Sequence, residues 1–123
     1  MADHNDFGKI AEDFAAEYLQ KNGYRIITRN FRFQKAEIDI IAEKEGLIII
    51  VEVKARSTDA FMLPQEAVTK TKIKSIVMAA NHYLEEFSRN NEVRFDIISV
   101  LADEKKKLTI EHITDAFEAL DAN

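Results

Sequence analysis

The segment between Ala36 and Lys54 holds the residues of this chain that are best suited to chemistry. Asp39 lies in an alternating, strand-like stretch, and the apolar run that follows it ends in Glu52 and Lys54. Carboxylates bind hard divalent cations such as Mg²⁺ or Mn²⁺ through oxygen, and a nearby ammonium can orient or activate a water for attack on phosphorus. An acid followed, after a hairpin, by Glu-x-Lys therefore predicts metal-dependent phosphodiester hydrolysis.

Strand geometry decides whether these groups can meet. Residues two apart in a strand share a face at a spacing of roughly 6.6 Å, so Glu52 and Lys54 point the same way. A two-residue loop at Glu45 and Gly46, or a four-residue loop at 44–47, would place Asp39 opposite Glu52 with Cβ atoms about 5 Å apart. A slip of one residue would turn Asp39 to the other face, so the hypothesis requires a loop of even length.

A structural ion pair between Glu52 and Lys54 is the competing interpretation. Burying charges costs several kcal/mol per ion unless they are well compensated, and apolar replacements are often more stable. We therefore favour a functional role for the group. Glu12 joins it as a candidate, because it lies at the rim of a helical apolar stripe and could face the sheet, although an exposed helical acid is the simpler interpretation.

Periodicity predicts the elements that position these residues. Apolar residues at three- and four-residue steps predict a first helix over 7–19, capped by Asn5 or Asp6 and ended by Gly23. A second helix is expected from Pro64 to Phe87. Strands are predicted at 24–33, 36–43, 47–54, 93–101 and 108–113, with a short terminal helix at 114–120. The chain should form one α/β domain over residues 1–123, with the third strand buried on both faces.

Composition excludes several other classes of protein. The chain has no cysteine, which excludes disulfides and thiolate zinc sites, and only three glycines, with no glycine-rich phosphate loop. Its three histidines are scattered and look structural. No apolar run approaches the ~20 residues that span a bilayer, and the start lacks a signal-peptide pattern. We expect a soluble, cytoplasmic protein without membrane contact.

The net charge of −5 looks unsuited to a polyanionic partner, but its distribution is uneven. The acidic excess lies after residue 84. The stretch 20–36 contains Arg29 among five basic residues and no acid, and the acid-free stretch 67–84 contains Lys72. Local basic patches determine phosphate binding more than total charge does, so we expect Lys72, Arg56 and Arg29 to contact nucleic acid. Solvated surface lysines and arginines are the alternative interpretation.

With these residues placed, the chain resembles the YraN-like family of bacterial proteins, which is similar in fold to restriction endonucleases and Holliday-junction resolvases of the PD-(D/E)XK nuclease superfamily. The resemblance covers nearly the whole chain. Its motifs are Gly8-Lys9-Ile10-Ala11-Glu12, Glu37-Ile38-Asp39, Val51-Glu52-Val53-Lys54 with Arg56, Glu66-Ala67-Val68, Lys72 and Arg94-Phe95-Asp96. The family usually has glycine before Glu-Ile-Asp, where this chain has Ala36.

The resemblance implies a restriction-endonuclease-like three-layer sandwich with an α-β-β-β-α-β core around a mixed sheet. It implies Asp39 and Glu52 as ligands of Mg²⁺ or Mn²⁺, Lys54 as the catalytic lysine and Glu12 as an auxiliary acid. The expected substrate is nucleic acid, DNA in particular, and related enzymes often act as homodimers. Two other functions stay open: a nucleic-acid-binding module of the same fold without turnover, and a protein-interaction domain.

Overall fold

The computed structural model describes residues 4–57 and 68–122. Their elements, in chain order, are α1 (His4–Lys21), β1 (Arg25–Phe33), β2 (Ala36–Lys44), β3 (Leu47–Ser57), α2 (Lys70–Glu86), β4 (Val93–Ala102), β5 (Leu108–Phe117) and a 3-10 helix (Ala119–Ala122). The five strands form one sheet in the order β1-β2-β3-β4-β5. All neighbouring strands are antiparallel except β3 and β4, which are parallel.

The sheet separates two hydrophobic cores, and one helix covers each face. Ile48 and Ile50 of β3 pack on the side of α2, whereas Ile49 and Val51 pack on the side of α1. All four are essentially inaccessible to solvent, as expected for a central strand with helices on both faces. The predicted three-layer α/β sandwich around a mixed sheet is confirmed.

Both helices begin at positions that differ from the predictions. The first helix starts at His4, so Asn5 and Asp6 lie inside it and do not precede it as caps. The second starts at Lys70, where Thr69 accepts a hydrogen bond from the Lys72 N–H. The predicted start at Pro64 lies outside the described residues.

The C-terminal prediction of a helix over 114–120 is wrong, because β5 continues to Phe117. The register with β4 shifts by a bulge near Asp115, whose φ of +53° is left-handed and whose N–H donates to the Asp96 carboxylate. After the bulge, Phe117 pairs with Phe95 and their rings stack with centroids 5.1 Å apart. Burial of this aromatic pair on the sheet favours the strand over a terminal helix.

Within residues 4–57 and 68–122, neither helix has the length and apolar character that a bilayer span requires.

Candidate functional site

A tight hairpin sets the register on which the site depends. The two-residue turn at Glu45 and Gly46 has positive φ angles of 53° and 81°, which suit the twist of antiparallel strands. Lys44 opposes Leu47, and the pairs continue to Ile40 opposite Val51. The next residues in this register are Asp39 and Glu52, so the hairpin has the even loop length that the sequence analysis required.

The alternation of β2 side chains between the two faces of the sheet is interrupted at Asp39, a feature that the sequence analysis did not predict. Ile38 packs in the core on the α2 side and Ile40 in the core on the α1 side, although residues two apart normally share a face. The neighbouring strand behaves in the same way. Phe31 packs toward α2 and Arg29 reaches α1, and Asn30 between them has a left-handed φ of +54°.

This change of face releases Asp39 from the regular ladder. Pairing between β2 and β3 is recorded only as far as Ile40 and Val51. Beyond this point the Val53 N–H donates to Asp39 Oδ2 at 2.8 Å, so a side chain takes the place of a main-chain acceptor. The Asp39 carboxylate therefore lies in the opening where the two strands separate.

The surroundings of Asp39 disfavour its negative charge. Burial is the largest of the causes that raise the pKa of Asp39 to about 8, and the charge of Glu52 and a hydrogen bond with Glu52 add to it. The hydrogen bond from the Val53 N–H has a smaller effect in the opposite direction. The charge of Glu12 adds to the rise. At neutral pH this carboxyl therefore holds a proton, which a cation bound between the two acids would displace.

Glu52 is buried, with 6% of its surface exposed, and it is incompletely hydrogen-bonded. Its Oε2 atom is buried and has no hydrogen-bond partner in the described part of the chain. The closest recorded cation is the Lys72 Nζ, 3.8 Å from this oxygen, at a distance that gives an ion pair but no direct hydrogen bond. Glu52 Oε2 is therefore a buried acceptor that no donor of the described residues satisfies.

Lys54 and Arg56 follow Glu52 along the same face of β3. The face is that of Ile48 and Ile50, so these side chains project toward α2, and both residues are partly buried. In the parallel register, Lys54 lies beside Ser99 of β4. The hairpin register brings Asp39 near Glu52, and strand alternation puts Lys54 on the same face as Glu52, two residues beyond it.

Glu12 and Arg29 meet on the other side of Asp39. Arg29 Nε donates to Glu12 Oε1 at 2.9 Å, and the Asn30 amide donates to Glu12 Oε2 at 3.0 Å. Arg29 also donates to Asp13, and this bond is the main cause that lowers the pKa of the Asp13 carboxyl. The guanidinium of Arg29 therefore already binds two acids, and its predicted contact with nucleic acid stays a prediction.

Lys72 also faces a shallow cavity at the start of α2. The cavity has a volume of about 300 Å³ and is lined by Lys35, Ala36, Glu37, Thr69, Thr71, Lys72 and Ser75. Glu37 pairs with Arg32 at 2.9 Å, away from the acid pair. Two ammonium groups and several hydroxyls thus border a concave surface beside Glu52.

No group of three or more histidine, cysteine, aspartate or glutamate residues within 4–57 and 68–122 has the arrangement of a metal site. At the candidate site, the metal ligands that the described residues offer are the two carboxylates of Asp39 and Glu52. Mg²⁺ is commonly held by one or two carboxylates and retains several waters. The donor set is therefore small but has the hard oxygen chemistry that this ion prefers.

Sequence reasoning missed a second buried acid, Asp96, on the α1 side of β4. Arg94 donates to both of its oxygens at 2.8 Å, His112 Nε2 lies 2.7 Å away, and the Asp115 N–H donates at 3.0 Å. Burial raises its pKa, but the bonds from His112 and Arg94 outweigh this and hold the pKa below its usual range. Tyr18 binds the other ring nitrogen of His112 at 2.9 Å. Both ring nitrogens of His112 therefore have partners within the fold.

Comparison with known proteins identifies relatives along nearly the full chain. The model of the uncharacterised protein family UPF0102 matches residues 11–100. A UPF0102 protein of Flavobacterium psychrophilum is 52% identical over 117 residues, covering 95% of this chain and 98% of the relative. One of Christiangramia forsetii is 49% identical over 117 residues, with the same coverage. These matches confirm the family resemblance that the motifs indicated.

A solved structure, the crystal structure of SSO0001, is a remote match. It has a TM-score of 0.37 and 19% identity, and the alignment covers 98% of this chain and 57% of that chain. A likeness of this degree carries no argument about function.

Proposed function

We propose that this chain, which belongs to the uncharacterised protein family UPF0102, is a metal-dependent nuclease-like domain that hydrolyses phosphodiester bonds in DNA. The observation that carries the proposal is the acid pair at the opening between β2 and β3. Asp39 has a strongly raised pKa, and the neighbouring Glu52 has a buried oxygen without a hydrogen bond in the described chain. Carboxylates with perturbed pKa values and incomplete hydrogen bonding are characteristic of functional sites.

A divalent cation suits this pair for two reasons. A positive ion would offset the repulsion between Asp39 and Glu52 that raises the Asp39 pKa, and Glu52 Oε2 offers a ligand atom that is not otherwise hydrogen-bonded. Both donors are hard oxygens, which favours Mg²⁺ or Mn²⁺. Bound there, the ion would supply Lewis-acid stabilisation of charge developing at phosphorus.

The remaining steps fall to side chains around the acid pair. Lys54 lies two residues beyond Glu52, where its ammonium would orient or activate the attacking water. Lys72 approaches Glu52 and also lines the cavity that contains Lys35, so it would bind a substrate phosphate. Arg56 extends the positive charge along the same strand face. Glu12 is the auxiliary acid, since its charge reaches Asp39 although its oxygens bind Arg29 and Asn30.

The described residues hold one such site, and the proposal includes a homodimer on DNA in which each copy cuts one strand of a duplex. The resemblance to restriction endonucleases and Holliday-junction resolvases supports this arrangement. The acidic last third of the chain would lie away from the substrate, because a polyanion binds where basic groups concentrate.

The test is cleavage of branched, single-stranded and duplex DNA with Mg²⁺ or Mn²⁺, combined with calorimetric titration of Mn²⁺. Glu52→Gln should lose both cleavage and the heat of metal binding. Lys54→Ala should keep metal binding and lose about 10²-fold or more in rate, the range of a proton-transfer group. Glu104→Gln and Lys105→Ala, in the exposed β4–β5 turn, are matched controls and should behave as the native protein.

Two other results would replace the proposal. Salt-dependent DNA binding that survives Asp39→Asn, with no metal-stimulated cleavage, would identify a nucleic-acid-binding module without turnover. No DNA affinity at low salt and no metal heat would identify a protein-interaction domain, in which Lys72 merely neutralises Glu52. Equal cleavage by the native protein, Glu52→Gln and Lys54→Ala would show that the assigned chemistry is wrong.

A further inference from the structure

Ser99 is a polar residue within the apolar strand β4, between Ile98 and Val100. It is 0% exposed, and its Oγ atom has no hydrogen-bond partner among residues 4–57 and 68–122. Buried hydroxyls are nearly always hydrogen-bonded, and one left without a partner destabilises the folded state relative to alanine. Packing alone therefore does not account for a serine at this position.

The sheet places Ser99 beside the candidate site. In the parallel register of β3 and β4, Ile97 lies beside Glu52 and Ser99 lies beside Lys54. Ile97 packs in the core on the α2 side, so alternation puts Ser99 on the same face as Glu52 and Lys54. Adjacent strands are about 4.8 Å apart, which brings the Ser99 hydroxyl within reach of the flexible Lys54 side chain.

The other strand neighbour of Ser99 is Glu111, which opposes it from β5. Glu111 is exposed, so water already satisfies its carboxylate. Lys54 is partly buried, so its ammonium gains more than Glu111 would from a hydrogen bond with Ser99. A lysine ammonium has three hydrogen-bond donors and a long flexible stem. A partner that fixes the direction of the ammonium before the reaction reduces the conformational entropy that the lysine must lose in the reaction.

We infer that Ser99 is a positioning residue for Lys54: rotation of the flexible Lys54 side chain brings its ammonium to the unpartnered Ser99 Oγ, which accepts a hydrogen bond and directs the ammonium toward the acid pair. The inference rests on the proposed function for its consequence in catalysis, but the contact itself can be detected without any cleavage. A serine retained at a cost in stability is then explained by the orientation of the lysine.

The first experiment observes the ammonium directly by nitrogen-15 correlation NMR of the lysine Nζ in the native protein. Lysine ammonium protons give sharp cross-peaks when a hydrogen bond slows their exchange with water. We expect a Lys54 cross-peak, assigned by its loss in Lys54→Ala, that disappears in Ser99→Ala and persists in Glu111→Gln. Absence of a Lys54 cross-peak in the native protein, or its persistence in Ser99→Ala, would overturn the inference.

The second experiment measures kcat and KM for DNA cleavage. Ser99→Ala and the size-matched Ser99→Cys should lower kcat about tenfold, the value of one hydrogen bond to a charged group, with KM unchanged within about twofold. Ser99→Thr, which keeps the hydroxyl, should restore kcat. In the Lys54→Ala background, Ser99→Ala should have no further effect, because the two residues act as one unit.

Stability separates this role from a structural one. Urea unfolding should find Ser99→Ala about as stable as the native protein, since the net contribution of one hydrogen bond to stability is small. Thr109→Ala, which removes an exposed hydroxyl from β5, is the control and should change neither kcat nor the Lys54 cross-peak. A kcat loss in Ser99→Ala that matches a loss of folded protein would overturn the inference.

The two proposals can fail separately. If Lys54→Ala abolishes cleavage and Ser99→Ala cleaves at the native rate, only the inference about Ser99 is wrong. If the native protein cleaves no DNA with either metal, the proposed function is wrong, and the NMR experiment alone decides whether Ser99 holds Lys54.

Discussion

Replacing Asp39 by asparagine should stabilise the metal-free protein while removing its capacity to bind a cation. Asparagine has nearly the same shape and its side-chain oxygen can still accept the Val53 N–H, but it carries no charge beside Glu52. The variant therefore removes the electrostatic conflict of the site and leaves the local hydrogen bond in place. A gain in stability from removing a carboxylate is expected where function, and not packing, has retained it.

The size of the gain follows from the pKa. Ionising Asp39 in the folded chain costs about 6 kcal/mol, at ~1.4 kcal/mol for each tenfold change in proton affinity, given a pKa raised from 3.8 to about 8. The amide must itself be partly desolvated next to Glu52, so we expect a net gain of about 2–3 kcal/mol at pH 8.

The gain should depend on pH with a definite sign. Below the usual pKa of 3.8, Asp39 is protonated in the folded and unfolded chains alike, so its titration adds no difference between the two proteins. Between that value and about 8, only the unfolded chain releases the proton, and the native protein loses stability relative to Asp39→Asn as the pH rises. Above about 8 the difference should stay constant.

The assay is urea unfolding from pH 5 to 9, in chelator and in Mn²⁺. Mn²⁺ at 1,000 times its Kd should reverse the order of stability, because it then adds ~4.1 kcal/mol to the native protein alone. Asp115→Asn, at an exposed left-handed position that asparagine also tolerates, is the control for loss of one charge. If Asp39→Asn is less stable than the native protein throughout this pH range in chelator, the carboxylate is a stabilising group and our reasoning fails.

Three further predictions test neighbouring features. Asp96→Asn should lower the free energy of unfolding by about 3 kcal/mol without changing Mn²⁺ binding, because it breaks a buried pair with Arg94. In the native protein, the stability that this pair contributes should be lost only in acid, as the pH falls through the lowered pKa of Asp96. Gly46→Ala, at φ +81°, should cost about 1 kcal/mol in urea unfolding. Calorimetric Mn²⁺ affinity should rise with pH up to about 8, where Asp39 loses its proton, and a flat profile would contradict displacement of that proton.

Much of the site geometry could be predicted from local pattern. The apolar run of β3 and the Glu45-Gly46 turn were enough to predict the hairpin register, which ends with Ile40 opposite Val51 and so brings Asp39 to the level of Glu52. The start of α2 and the role of Thr69 were harder to predict, because caps depend on a backbone conformation that several polar residues can adopt equally well.

Features that depend on contacts between distant strands escaped prediction. The bulge at Asp115 is stabilised by the Asp96 carboxylate, 19 positions earlier, and no periodicity reveals it. The change of face at Asp39 is shared with Asn30 on the neighbouring strand. Asn30 did carry a signal, since asparagine is rare inside strands and tolerates left-handed φ angles. Ser99 carried another, as a single hydroxyl in an apolar run.

The two buried acids of this sheet show how structure and function can be distinguished within one fold. Asp96 and Glu52 lie on adjacent strands at nearly the same level, since Asp96 pairs with Val51 and Ile97 with Glu52. Asp96 accepts hydrogen bonds from two Arg94 nitrogens and from a main-chain N–H, and it makes a close contact with His112. Such a complete set of partners is what a buried structural acid requires. Glu52 is almost equally buried, yet one of its oxygens has no donor within the described residues and it destabilises the charge of Asp39. The contrast between an acid that the fold satisfies fully and a neighbouring acid that it leaves incompletely bonded is what supports the proposed cation site at the second.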